Sequence, residues 1–421
     1  MGRADGRCRS ETRWLCDRSL IRKIHEENKL SDSFELEVEQ ITYGPKHHFF
    51  GYIGQSQTIP WNQSGRYIVA LRNGFQDHMP GPGEAADVIL IDTENEYSIQ
   101  IVDQSQGWNP QQGTMFYWNP ESPEMQFFFN DRDPETQKVF TVLFDISRGK
   151  RIREYRYEDT SFGNSGVAQN GGYFLGLNYA RMARLRLVTG YLGAADWTEG
   201  VVHPEDDGIF KVDVNTGQKE LIVSFAQLGD ALRDYHPGVE SKEMFINHTL
   251  WNRDDDRIYF YARGNFGGRG DRLNVPFTVN SDGSDLTIQK VFIGGHPEWL
   301  EGHEILGHNA DDLVVYDTDE QKIVRTLGDQ SVFPEPGGDN AFSPDGKWVI
   351  NGSGPKRGTV YVMYRMADGA WARTERYDQG AWISGDLRSD PAPCWNRTSD
   401  QVLFPSISRD GTRQLFVITR R

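Results

Sequence analysis

The chain has 421 residues, 37% of them hydrophobic and 12% aromatic, enough for a sizeable core and too many for one ordinary layered domain. No run of about 18 apolar residues occurs, which excludes a membrane-spanning helix. A net charge of −16 repels polyanions at long range, so nucleic acid and membrane surfaces are excluded as partners, while a local arginine cluster would still admit an acidic sugar.

Residues 1–34 are polar and charged, and SLIRKIHEENKL within them is the one helix candidate of this N-terminal extension. The segment lacks the apolar stretch of a secretory signal, so a cytoplasmic setting is expected rather than a secreted one. Cys8, Cys16 and Cys394 are too few and too scattered for a disulfide framework.

From about residue 35 the pattern turns to short strands, and a two-part signal repeats. Its first part is an aromatic residue, a polar turn and a β-branched or aromatic strand. It reads WNQSGRYIVAL (61–71), WNPESPEMQFFF (118–129), WNRDDDRIYFYA (251–262), FSPDGKWVING (342–352) and WNRTSDQVLFP (395–405). Weaker copies are AQNGGYFLGLN (168–178) and HPEWLEGHEIL (296–306). The second part is a hairpin such as GIFKVDVNTGQKELIV, with Gly, Asn or Asp supplying the positive φ of its turn. Seven repeats predict an all-β fold, one seven-bladed β-propeller of four-stranded antiparallel blades over 35–421. The strand FELEVEQIT, near residue 35, is available to close the ring. Two β-sandwiches would need a linker near the middle, and no Pro/Gly/Ser-rich linker is present.

In a propeller the loops entering the innermost strands form one concave face, so residues just before those strands are the site candidates. His48, His248, His296, Asp339 and Asp390 all fall there. In KHHFFGY, His47 and His48 alternate faces, so one of them can reach the channel. His48 beside Tyr52 reads as a general base or acid, and a histidine satisfied by a backbone carbonyl is the plainer alternative. In GLNYARMARLR, Asn178, Tyr179 and Arg181 lie on an expected inner strand, with Arg184 on its other face, and a channel-facing arginine would grip a carboxylate. INHTLWN and GGHPEW add His248, His296 and the substrate-contact candidate Trp299, whereas His303 and His308 read as surface or core residues. RGNFGGRGDRLN reads as a lid carrying Arg263, Arg269 or Arg272, since the strand–loop–helix context of a phosphate loop is missing.

GPKHHFFGY, LNYARMARLR, EDDGIFKVDVNTGQKELI, INHTLWN, GGHPEW, FSPDGKW and DPAPCWN…LFPSISRDGTRQLFV together resemble the TolB-like propellers that include the oligogalacturonate lyases, from about residue 43 to the end. The resemblance implies His248 as base and His296 as a metal ligand. Where that family closes with His-Pro-His-Pro, this chain reads Asp390-Pro391-Ala392-Pro393, so one ligand becomes a carboxylate and the other is lost. Asp339 stands in a further ligand region. The implied cofactor is a divalent metal ion, Mn or Ca. The implied partner is an acidic oligosaccharide or polysaccharide, cleaved by β-elimination. Arg181 would then neutralise the substrate carboxylate, with His248 or His48 as base and Tyr179 or Tyr52 as acid. The alternatives are hydrolysis by Asp206 and Asp207, or by Asp339 and Asp390, and a non-catalytic sugar- or protein-binding propeller.

Overall fold

The recurring aromatic–Asn pair is explained by the turn it begins. Asn252 Oδ1 accepts from the backbone N–H groups of Asp256 and Arg257, at 3.1 and 3.0 Å. Asn396 Oδ1 does the same for Asp400 and Gln401, at 3.1 Å each, and Ser343 Oγ accepts from Trp348 N–H at 2.9 Å. A short polar side chain at this point closes the turn and returns the chain as the next strand. The preceding aromatic residue ties neighbouring blades together. Indole N–H groups donate from Trp118 to Pro60 O (2.7 Å), Trp251 to Gly166 O (3.2 Å), Trp299 to Leu250 O (2.8 Å) and Trp395 to Ala341 O (2.9 Å). In each case the acceptor belongs to the blade before.

A computed structural model describes residues 34–51, 58–265, 271–354, 358–382 and 384–421. They hold seven four-stranded antiparallel sheets, the seven-bladed propeller that the repeats predict. The innermost strands are His47–Phe49, Tyr117–Trp118, Gly163–Val167, Met244–Trp251, Gly294–Trp299, Asp339–Phe342 and Cys394–Trp395. The last blade takes its outermost strand, Leu36–Gln40, from the beginning of the described chain, and that strand pairs antiparallel with Arg413–Arg420. Middle strands are apolar on both faces because a blade lies on either side: Phe127, Phe128 and Phe129 are consecutive and all fully buried. No helix among the described residues is long and apolar enough to cross a membrane. The helix expected near the N-terminus, Tyr52 and Arg269 lie outside the described residues.

One segment departs from the expected pattern. The strand in GLNYARMARLR stops at Leu177, and Tyr179–Leu185 is an α-helix. Asn178 is its N-cap, accepting from Arg181 N–H, and Ala180, Met182, Ala183 and Leu185 favour a helix once that cap has formed.

Candidate active site

The site is built from one repeated backbone position, three residues before the blade aromatic. In the fourth to seventh blades it holds His248 (before Trp251), His296 (before Trp299), Asp339 (before Phe342) and Ala392 (before Trp395). The innermost strands are irregular here. Pairing breaks between Asn247 and Leu250, and again between Gly294 and Glu298. His248, His296 and Ala392 have φ of 60°, 46° and 44°. A non-glycine residue in this left-handed region costs about 1–2 kcal/mol, and a bulge of this kind re-aims the side chain it carries. The result is convergence: the His248 and His296 ring centroids lie 4.8 Å apart. Ligand atoms of His296, Asp339 and Asp390 lie within 4.8 Å of one another.

The side chains of His248, His296, Asp339 and Asp390 line a cavity of about 600 Å³. His296 Nδ1–H donates to Asp339 Oδ1, which leaves the imidazole lone pair on Nε2. Asp339 Oδ2 accepts the Ala392 N–H at 2.8 Å. Asp390 accepts from Arg388 Nε at 2.9 Å and from the Gln111 side-chain amide. Burial pushes the Asp339 carboxyl above its ordinary range. Burial presses on Asp390 too, but the Arg388 guanidinium, His296 and Gln111 outweigh it and hold that carboxyl below its ordinary range. Gln111 Oε1 is buried and has no hydrogen-bond partner among the described residues. One imidazole, two carboxylates and this amide oxygen form a donor set that could hold a divalent cation.

The cavity lining is also cationic. Arg186, Arg263, Arg272 and Arg388 all line the cavity, four guanidinium groups against two carboxylates. Arg263 lies over the Tyr261 ring, 4.4 Å from its centroid, and donates to Asn274 Oδ1 at 2.9 Å. Burial, with Arg186 and Arg272 nearby, lowers Arg263 to about 9. Burial, with Arg388 and Arg272 nearby, lowers Arg186 to about 10. Both keep their charge at neutral pH.

Of the residues expected from sequence, His248, His296, Asp339, Asp390, Arg263 and Arg272 line this cavity, and the others among the described residues are placed elsewhere. His48 Nδ1 is hydrogen-bonded to Gln414 Oε1 at 2.8 Å, and His47 Nδ1 accepts the Arg413 N–H at 3.1 Å. Both rings pin the first blade to the last. Tyr179 stacks on Tyr191 with centroids 4.3 Å apart, and its hydroxyl donates to Asn164 O. Arg181 is fully buried, and its guanidinium is spent on the carbonyls of Thr198, Val201, Val202 and Met244. Asn178 caps the helix and holds Asp196 and Asp207, while Arg184 pairs with Asp196 and Glu243. Trp299 is a buried link between blades, with 1% of its surface exposed. Asp207 is likewise buried and Asp206 exposed, neither at the cavity. The sequence reading missed Gln111, Tyr261 and Arg388, which line it, and His308, expected at the surface or in the core, lines it too. The only signal for Arg388 was its place two residues before Asp390.

No protein family matches the chain by sequence, and no curated protein matches it. Among solved structures, the β-propeller domain of Cps50 (Swd1) from Myceliophteria thermophila is similar over 89% of this chain and 99% of its own, at 13% identity and a TM-score of 0.48. TolB from Acinetobacter baumannii is similar over 78% of this chain and 64% of its own, at 12% identity and a TM-score of 0.35. Seven four-stranded antiparallel blades, closed by a strand from near the N-terminus, make this chain a seven-bladed β-propeller.

Proposed function

We propose that the cavity binds an acidic sugar and that the protein is a lyase cleaving uronic-acid glycosides by β-elimination. The observation that carries this reading is the cavity wall: four arginines beside three histidines and two carboxylates, in a chain of net charge −16. In the reaction the C5 proton leaves, its electron pair forms the C4=C5 bond, the C4–O bond breaks and the departing oxygen takes a proton. Negative charge builds on the neighbouring carboxylate, so that group has to be neutralised in advance. Arg263, with Arg186 or Arg272, would hold it through paired N–H donors. His248 is the base, and a well-placed base typically contributes ~10²–10⁴-fold. The imidazolium it becomes can return the proton to the leaving oxygen when both lie on one face of the sugar.

His296, Asp339, Asp390 and the unpartnered Gln111 Oε1 would hold a divalent cation. A mixed nitrogen and oxygen set suits Mn²⁺, whereas Ca²⁺ prefers about six to eight oxygens. When bound, the ion supplies a Lewis acid for the sugar carboxylate. The motifs that resemble oligogalacturonate lyases support elimination over hydrolysis.

Hydrolysis is the second reading, favoured by Asp339 and Asp390 lying together with their acidities pushed in opposite directions. One assay separates the two. Elimination on galacturonate, glucuronate or alginate oligosaccharides gives a product absorbing in the near ultraviolet, and hydrolysis gives only new reducing ends. Absence of the unsaturated product from every uronate oligosaccharide, with and without Mn²⁺, overturns the lyase reading.

A further inference from the structure

His308 lines the cavity and has no part in the reaction above. It lies on the strand Glu304–Asn309, opposite Gly294 in register. Glycines make the room for its ring. A Cβ on Gly294 would stand 2.4 Å from His308 Cε1, and one on Gly295 would stand 2.7 Å from Nδ1. His308 Nδ1 is sealed from solvent and has no hydrogen-bond partner among the described residues. A buried N–H without an acceptor is costlier than a bare lone pair. The ring proton therefore belongs on Nε2, as a donor with the cavity to serve.

We infer that His308 is a substrate-contacting residue whose Nε2–H donates to an oxygen of the bound sugar and so fixes how the sugar ring lies in the cavity. This rests on the acidic-sugar reading above. A hydroxyl, ring or carboxylate oxygen would serve as acceptor. A site built around such a bond loses affinity when the donor is removed.

The test is calorimetric binding of saturated uronate trisaccharides, with KM and kcat for the elimination measured alongside. His308→Leu is expected to raise Kd and KM about ten-fold with kcat little changed, the loss of one hydrogen bond to substrate. In His308→Gln the amide nitrogen can reach the place of Nε2, so most of the affinity returns. In His308→Asn it sits at the place of Nδ1, and affinity stays low. Thermal unfolding midpoints within a few degrees of the parent protein show that each variant has folded. A parent protein that binds the trisaccharide while His308→Leu binds it equally well overturns the role of His308 alone, as does an Asn variant as good as the Gln variant. A parent protein that binds no uronate trisaccharide overturns this inference together with the acidic-sugar reading.

Discussion

Ala392 gives its backbone N–H to Asp339 Oδ2 at 2.8 Å, across the junction of the sixth and seventh blades. Its side chain occupies the position that carries an imidazole in the fourth and fifth blades, in the same left-handed backbone. The seventh blade therefore contributes a backbone donor here where its neighbours contribute side chains.

That equivalence makes Ala392→His the direct test of the metal site. His248 and His296 already adopt the required φ, so the backbone can accept the change. The new imidazole would join His296, Asp339 and Asp390. Outer-shell partners alone tune metal affinity by about 10–100-fold, so a further ligand should tighten Mn²⁺ binding at least ten-fold by calorimetry. Unchanged affinity would show that the ion does not sit among these groups.

Arg263 and Arg181 should fail in different ways. Arg263 borders the cavity, and Arg263→Gln removes a charge-assisted contact worth about 1.5–3 kcal/mol, a rise of roughly ten- to a hundred-fold in Kd for a uronate oligosaccharide. Arg181→Gln strips donors from four carbonyls, two of them buried, and should lower stability in a denaturant titration by about 1–3 kcal/mol for each buried carbonyl left without a donor. Sugar affinity per folded molecule should be unchanged. Equal sugar-binding losses in both variants would contradict the separation of roles.

Such contrasts also show what could be seen in the sequence. The fold was legible because each blade restates one local rule, an aromatic residue, a side-chain-closed turn and a strand, and these depend on neighbours in the chain. His248, His296 and Asp339 were legible for the same reason, since each stands at a fixed offset from a blade aromatic. The His47 and His48 contacts join residues 366 positions apart, and nothing local announces Gln414 or Arg413. Gln111 reaches Asp390 from a loop 279 positions away. The arginine-rich segment misled because its N-cap starts a helix within a run that alternates like a strand for only a few residues.

Asp207 predicts a pH dependence of stability. It accepts from Asn178, Thr198 and the Gly208 N–H, yet burial raises its carboxyl from 3.8 to about 6. The folded chain thus holds this proton more tightly than the unfolded chain. Its stabilising contribution is complete below about pH 4, fades as pH rises through 6, and leaves a constant cost of about 3 kcal/mol above that. Relative to the parent, Asp207→Asn should gain about 3 kcal/mol between pH 4 and pH 7 in chemical unfolding. A difference that does not change with pH would mean that the carboxyl titrates in its ordinary range.

Ring closure can be tested one hydrogen bond at a time. Glu35 and Arg421 exchange backbone bonds at 3.2 and 2.9 Å, and Ile41 N–H donates to Leu415 O at 2.9 Å. Antiparallel pairing alternates, so the intervening odd-numbered residues, Glu37 and Glu39, also turn their N–H groups to the Arg413–Arg420 strand, while Leu36, Val38 and Gln40 turn theirs outward. Proline cannot donate, and on an edge strand it is tolerated only where the N–H faces away. Glu39→Pro should therefore leave the Val417 carbonyl without its donor and lower stability by about 1–3 kcal/mol, with Gln40→Pro one residue later close to neutral. Equal unfolding midpoints for the two variants would mean that the last blade is not closed in this register, and the channel that gathers His296, Asp339 and Asp390 would lose its frame.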